Sequence, residues 1–160
     1  MTTTLLRGGA VIDGTGTPPR PADVLLEPDR ILAVGPDAAA AAPPDAVVHD
    51  VAGLTVLPGL IDAHCHITFG EPASNDELFF HRDPSTAALV AAFDVQKLLL
   101  AGVTGFLDAD CIYEVGPALR DAIEAGLVEG PRMAAGMNAL LTAAGGTAGK
   151  LIPDEGRVGY

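Results

Sequence analysis

The chain has 160 residues, of which 49% are hydrophobic and only 4% aromatic, so we expect a folded core built from aliphatic side chains. Its nine basic residues do not cluster and its formal charge is 9 − 21 = −12, which argues against binding to nucleic acid or to an anionic membrane. Two cysteines, no secretory leader pattern and no long apolar run lead us to expect a cytoplasmic protein.

The first 57 residues alternate short strand-like pieces with turns. Five such pieces occur, with the sequences TLLRGGAVID, ADVLLE, RILAVG, VVHDV and TVL. Pro28 and Asp29 separate the second piece from the third and predict a hairpin there. The alanine-rich stretch 38–44 indicates an exposed connector. Together these features predict a small β-sheet or part of a β-sandwich.

From Pro58 onwards the pattern changes to alternating strands and helices. Asp83 and Pro84 are typical of a helix start, and Gly102 is typical of a helix end. The predicted elements are a strand at 59–67 buried on both faces, a helix at 84–101, a strand at 103–108, a helix at 117–125 and a strand at 131–138. The residues from Ala143 onwards look loop-like. This order predicts parallel βαβ units and therefore an α/β fold.

The most informative stretch is PGLIDAHCHITFG, in which Asp62, His64 and His66 occupy every second position. Residues two apart on a strand share one face, with about 6.6 Å between their Cα atoms. Two imidazoles at this spacing can converge on one metal ion, and Asp62 could orient an imidazole from behind. Cys65 points to the other face and is not counted as a ligand. The competing interpretation is a pair of solvated histidines on an exposed edge strand.

The chain resembles the N-terminal part of the amidohydrolase superfamily of metal-dependent hydrolases. The motifs that carry the resemblance are AVIDGTG at 10–16, PGLIDAHCH at 58–66, LLAGVTGFLD at 99–108 and AGLVEGPRMAAG at 125–136. They are most similar to the branch with imidazolonepropionase-like enzymes and prolidase-like peptidases. Leu107 departs from the pattern, because related sequences commonly have an arginine before the aspartate of the second strand.

This resemblance implies a fold in which residues 1–57 form the N-terminal part of a β-sandwich. Residues 58–160 would form the first strands of a (β/α)₈ TIM-type barrel, which takes about 250 residues and is therefore incomplete in this chain. It also implies that His64 and His66 bind the catalytic metal, one or two divalent ions with zinc first among the candidates. Asp108 and Asp110 follow the second strand at the catalytic face, so either could contact substrate or a neighbouring loop, and either could equally cap a helix.

The resemblance further implies hydrolysis of the C–N bond of an amide, cyclic amide or peptide by the assembled barrel. The remaining metal ligands and the general base have no counterpart here, so we expect a second chain or fragment to complete the barrel. A homo-oligomer is a separate expectation. Two alternatives stay open: a heterocycle deaminase of the same superfamily, and a truncated, non-catalytic module that binds a partner chain.

Overall fold

The computed structural model describes residues 2–137, which fall into two compact units that divide between Pro58 and Gly59. Each unit is described by itself below. The division lies next to the boundary expected from the sequence, while the assignment of the units to a sandwich and a barrel stays a prediction. The last residue of the predicted third strand, Asn138, and the loop predicted from Ala143 lie outside the described residues.

The first unit is a five-stranded sheet. Its strands are β1 Thr4–Val11, β2 Arg20–Glu27, β3 Arg30–Gly35, β4 Val47–Asp50 and β5 Thr55–Val56. They run in the order β3-β2-β1-β4, with β5 also paired to β1. The predicted hairpin is confirmed, since β2 and β3 are antiparallel neighbours, whereas β4 and β5 run parallel to β1. The sequence therefore predicted the elements of this sheet correctly.

The alanine-rich connector of this unit is not wholly exposed, as the sequence had suggested. Ala38 is buried and packs with Leu5 and Leu25 in a small core, and Ala42 is partly buried against the same cluster. A small side chain lets the turn that follows β3 fold down onto the sheet. Low sequence complexity predicted a linker here, but the methyl groups contribute to the core.

The second unit, as far as residue 137, is a three-stranded parallel sheet with two helices. Its elements are β6 Leu60–Cys65, α1 Pro84–Leu100, β7 Val103–Asp108, α2 Val115–Glu124 and β8 Arg132–Ala135, and a short π-helical turn covers Glu77–His81. The strands lie in the order β6-β7-β8, so the predicted βαβ units are confirmed. No helix within residues 2–137 is both long and apolar enough to cross a membrane.

Local signals explain where α1 begins and ends. The side chain of Asp83 caps the helix by accepting hydrogen bonds from the backbone amides of Ser85 and Thr86, each at 3.0 Å. Gly102 follows the helix with φ of +86°, a conformation that glycine adopts without strain. The buried face of α1 carries Ala87, Ala91 and Val95, which pack with Ile67, Phe106, Val115 and Leu119 into the core of the unit.

Strand β6 is not buried on both faces. Leu60 and Ile61 are 51% and 77% exposed, because β6 pairs only with β7 among the described residues and nothing described covers its second face. Just before the strand, Gly59 lies against the side chain of Thr104 so closely that any Cβ at position 59 would overlap it. The strand start is therefore fixed against β7 by a close backbone approach that only glycine permits.

Candidate metal site

His64 is the penultimate residue of β6, and His66 follows directly after the strand ends. Their Nε2 atoms are 3.1 Å apart, and their rings meet edge to face with centroids 4.9 Å apart. Two nitrogens bound to one tetrahedral zinc ion at about 2.0–2.1 Å would themselves be separated by about 3.3 Å. The two nitrogen atoms thus converge as a pair of metal ligands would, and the residues present fit the metal that the resemblance implies.

The ring of His66 is held on two further sides. Its Nδ1 is in contact with Oδ1 of Asp110 and lies 3.3 Å from the carbonyl oxygen of the same residue. Phe69 stacks on the ring, with centroids 4.8 Å apart and planes 10° apart, and Phe79 meets Phe69 edge to face. The orientation of His66 is therefore set by a carboxylate, a carbonyl and an aromatic face.

Asp62 does not contact an imidazole ring. Its Oδ1 accepts a hydrogen bond of 3.0 Å from the backbone amide of His64. The sequence prediction assumed uninterrupted strand alternation, but the register with β7 shifts between Asp62 and Cys65. The carboxylate found at a ring nitrogen of His66 is that of Asp110. Cys65 packs against the core on the helix side of the sheet.

Asp108 lies beneath the site and not on its open side. The residue is fully buried, and its Oδ1 accepts a hydrogen bond of 3.0 Å from the backbone amide of Ile67, directly after His66. Its Oδ2 has no hydrogen-bond partner in the described part of the chain. Burial raises the pKa of Asp108 to about 6, although the Ile67 amide and the charge of His66 act in the opposite direction. The expected contact between Asp108 and substrate does not fit this burial.

Gly116, near the start of α2, makes room for this buried carboxylate. A Cβ at position 116 would stand 2.6 Å from Oδ2 of Asp108 and 3.1 Å from Sγ of Cys111. The Cys111 thiol in turn accepts a hydrogen bond of 3.3 Å from the backbone amide of Gly116. The carboxylate is thus packed between the end of β7 and the first turn of α2.

A second buried cluster, which we call the Arg82 clamp, fixes the segment after His66. The guanidinium of Arg82 donates two hydrogen bonds of 2.7 and 2.8 Å to the carboxylate of Glu77, and further bonds to the carbonyls of Thr68 and Gly70 at 3.1 and 3.2 Å. The Arg82 side chain is only 4% exposed. The sequence analysis missed this cluster; an arginine inside the segment ELFFHRDP, five residues after a glutamate, is the signal that could have pointed to it.

The other histidines take no part in this arrangement. His81 pairs with Asp76 at 3.1 Å, and both side chains are more than half exposed. His49 lies on β4 in the other unit. Within residues 2–137, no group of three or more histidine, cysteine, aspartate or glutamate side chains is arranged to hold a metal ion. Because a catalytic zinc site normally has three protein ligands, the His64–His66 pair supplies only part of one.

Comparisons with known proteins agree with this architecture. The chain is 50% identical over 65 residues to a D-aminoacylase of Alcaligenes xylosoxydans xylosoxydans, covering 39% of this chain and 12% of that protein. It is 33% identical over 86 residues to the dihydroorotase of Lactococcus lactis subsp. lactis (strain IL1403), covering 54% and 19% respectively. A crystal structure of a prolidase complexed with N-methylphosphonate-L-proline superimposes with a TM-score of 0.74 at 29% identity, covering 90% of this chain and 34% of the other.

The chain thus spans less than a fifth of either curated relative and about a third of the solved prolidase. Residues 55–150, more than half of the chain, match the profile of the amidohydrolase family. That match contains the PGLIDAHCH motif, the strands β6 to β8 and both helices of the second unit. The chain belongs to the amidohydrolase family.

Proposed function

We propose that this chain supplies the first metal-binding strand of a metal-dependent hydrolase that cleaves the C–N bond of an amide or cyclic amide. The observation that carries the proposal is the convergence of His64 Nε2 and His66 Nε2 at the end of the first strand of a parallel sheet. In parallel barrels, catalytic residues lie at the carboxyl ends of the strands, which is where this pair lies.

His64 and His66 would hold the metal through Nε2, with zinc first among one or two divalent ions. Such an ion supplies activation of water near neutral pH and polarisation of a substrate carbonyl. The chain's own part is to place the two imidazoles: β6 carries His64, and the Asp108 contact with the Ile67 amide fixes the backbone directly after His66. The side chain of Asp110 contacts Nδ1 of His66 at the site itself.

Amide substrates are favoured because the relatives named above share one bond type. A D-aminoacylase, a dihydroorotase and a prolidase are all named for substrates in which a C–N bond to a carbonyl is cleaved or formed. The aromatic pair Phe69 and Phe79 beside His66 adds an apolar wall to the site. The proposal names the type of bond that is cleaved and not a single substrate. Deamination of a heterocycle is the alternative, and a substrate assay distinguishes the two reactions.

The proposal includes further strands that complete the barrel and the ligand set. The described part of the second unit has three parallel strands, and the relatives are several times longer than the chain. Lys97 does not suit a bridging metal ligand, because it lies on α1, paired with Asp94 at 2.7 Å. We infer that the other ligands and the general base come from outside residues 2–137, on the same polypeptide or on a second chain.

The proposal is tested by metal analysis of the complete gene product that carries these 160 residues. His64→Ala and His66→Ala should each strongly lower the bound metal measured by elemental analysis, because each removes one of two converging nitrogens. Cys65→Ala is the matched control and should keep its metal, since Cys65 packs into the core. Wild-type stoichiometry in both histidine variants would refute the metal site.

Activity is then screened with N-acyl-D-amino acids, Xaa-Pro dipeptides, cyclic amides and adenine. Hydrolysis of an amide that is lost in His64→Ala and His66→Ala supports the proposal. Release of ammonia from adenine with no amide cleavage would favour the deaminase. Absence of both activities from a metal-loaded protein would favour a non-catalytic module.

A further inference from the structure

Within residues 2–137, both polar neighbours of His66 Nδ1 belong to Asp110. Oδ1 of Asp110 contacts Nδ1, and the Asp110 carbonyl oxygen lies 3.3 Å away. Oδ1 is shielded from solvent, and apart from this contact it has no hydrogen-bond partner in the described part of the chain. A solvent-shielded carboxylate oxygen thus faces the ring nitrogen that lies opposite Nε2.

These two neighbours determine where the ring carries its proton. A carboxylate and a peptide carbonyl both accept hydrogen bonds, so the nitrogen between them has to be the donor. A neutral imidazole protonated at Nδ1 has its lone pair on Nε2. Nε2 of His66 is the atom that converges with Nε2 of His64.

The backbone on both sides of Asp110 is anchored, so the carboxylate does not depend on its own contact for its position. The amide of Ala109 donates to the carbonyl of Cys65 at 2.8 Å, which ties the end of β7 to the end of β6. The amide of Cys111 donates to the carbonyl of Met137 at 3.1 Å. Stacking of Phe69 on the ring then leaves His66 little freedom to turn.

We propose that Asp110 is a positioning residue that holds His66 in its Nδ1–H form and aims Nε2 at the metal. This inference rests on the proposed function, because it takes His66 as a metal ligand. In this proposal Asp110 orients the metal ligand His66, whereas the sequence had led us to expect that Asp110 could contact substrate. Partners of this kind orient the imidazole and raise its basicity, and their loss typically lowers metal affinity about 10–100-fold.

The test compares Zn²⁺ affinity of the complete gene product and its variants by competition with a chromophoric chelator. Asp110→Ala should bind Zn²⁺ about 10–100-fold more weakly. Asp110→Asn should lose less than Asp110→Ala, because the amide oxygen of its side chain can still accept the Nδ1 proton. Asp76→Asn is the matched control, since it alters an exposed histidine–aspartate pair away from the site and should leave affinity unchanged.

A second readout separates positioning from a general structural effect. Nitrogen-15 NMR of histidine in the metal-free wild-type protein should show His66 protonated at Nδ1, and Asp110→Ala should shift it toward a tautomer mixture at an unchanged melting temperature. If Asp110→Ala does not fold, the proposal is tested by the position of the His66 proton in the wild-type spectrum and by the Zn²⁺ affinity of Asp110→Asn. Protonation of wild-type His66 at Nε2, or wild-type Zn²⁺ affinity in a folded Asp110→Ala, would overturn the proposal.

His66→Ala distinguishes failure of this inference from failure of the proposed function. If His66→Ala loses Zn²⁺ while Asp110→Ala retains wild-type affinity, the metal site stands and the role of Asp110 is wrong. If His66→Ala itself keeps wild-type affinity, His66 is not a ligand, and the proposed function fails together with this inference.

Discussion

Replacement of Arg82 by methionine tests whether the Arg82 clamp fixes the segment that follows the histidine pair. The change removes four hydrogen bonds from a side chain that is 4% exposed, two to Glu77 and one each to the carbonyls of Thr68 and Gly70. Methionine fills much of the same space without a charge, so the loss of stability reports mainly on the polar contacts of Arg82.

The expected magnitude follows from what is left unpaired. Breaking a buried ion pair by removal of one partner typically lowers the free energy of unfolding by about 3–5 kcal/mol. The Glu77 side chain is 33% exposed and can turn toward water, so we expect the lower end, about 3 kcal/mol. Thr68 is fully buried and Gly70 only partly, so the unpaired Thr68 carbonyl accounts for more of the loss of stability than the Gly70 carbonyl.

The assay is urea denaturation of the complete gene product together with hydrogen exchange of the amides at 67–71. Arg82→Met should destabilise the protein and accelerate exchange in this segment. Arg82→Lys should lose less, because it keeps the charge but not the forked donor geometry. Arg120→Met removes an exposed pair with Asp121 and should change stability by less than about 0.5 kcal/mol. A loss below about 1 kcal/mol in Arg82→Met, with unchanged exchange at 67–71, would refute the reasoning.

Three further predictions follow from the packing of the second unit. Gly116→Ala should destabilise the fold by about 1–3 kcal/mol, since its Cβ would stand 2.6 Å from Asp108 Oδ2; wild-type stability in denaturation would contradict this. The pKa of Asp108 is raised from 3.8 to about 6. Its favourable contribution to the free energy of unfolding is therefore fully present below pH 4 and is lost as pH rises through 6. The melting temperature of Asp108→Asn relative to wild type should therefore increase from pH 4 to pH 7, and a pH-independent difference would refute this. Residues 1–160 expressed alone should be insoluble or oligomeric and inactive, since Leu60 and Ile61 on β6 are largely exposed; a monomer that melts cooperatively and cleaves an amide would contradict this.

Much of the fold could be predicted from the sequence because its signals are local. Asp83 and Gly102 mark the ends of α1 through capping and a positive φ, and both act within a few residues. Apolar runs separated by turns likewise predicted the strands of both sheets. The start of α2 was less well predicted, because Val115 begins the helix before Pro117 and Glu114 makes no side-chain cap.

The candidate site was only partly predictable, since its second layer depends on tertiary structure. The histidine pair is adjacent in sequence and could be identified from its spacing. Asp110 reaches His66 across 44 residues, and it does so because β7 lies parallel to β6 and ends beside it. The register shift after Asp62 has no clear local sequence signature, and strand alternation did not indicate that Asp110 would lie at the His66 ring.

The close approach of Gly59 to Thr104 has an evolutionary consequence. A larger residue at position 59 would overlap the threonine side chain, while a smaller residue at position 104 would open space for it. The two positions are therefore expected to covary among homologues, with alanine or serine at 59 only where 104 has lost its branched side chain. The glycine of the PGLIDAHCH motif would then be retained through its neighbour on β7 and not through any part in the chemistry of the histidines.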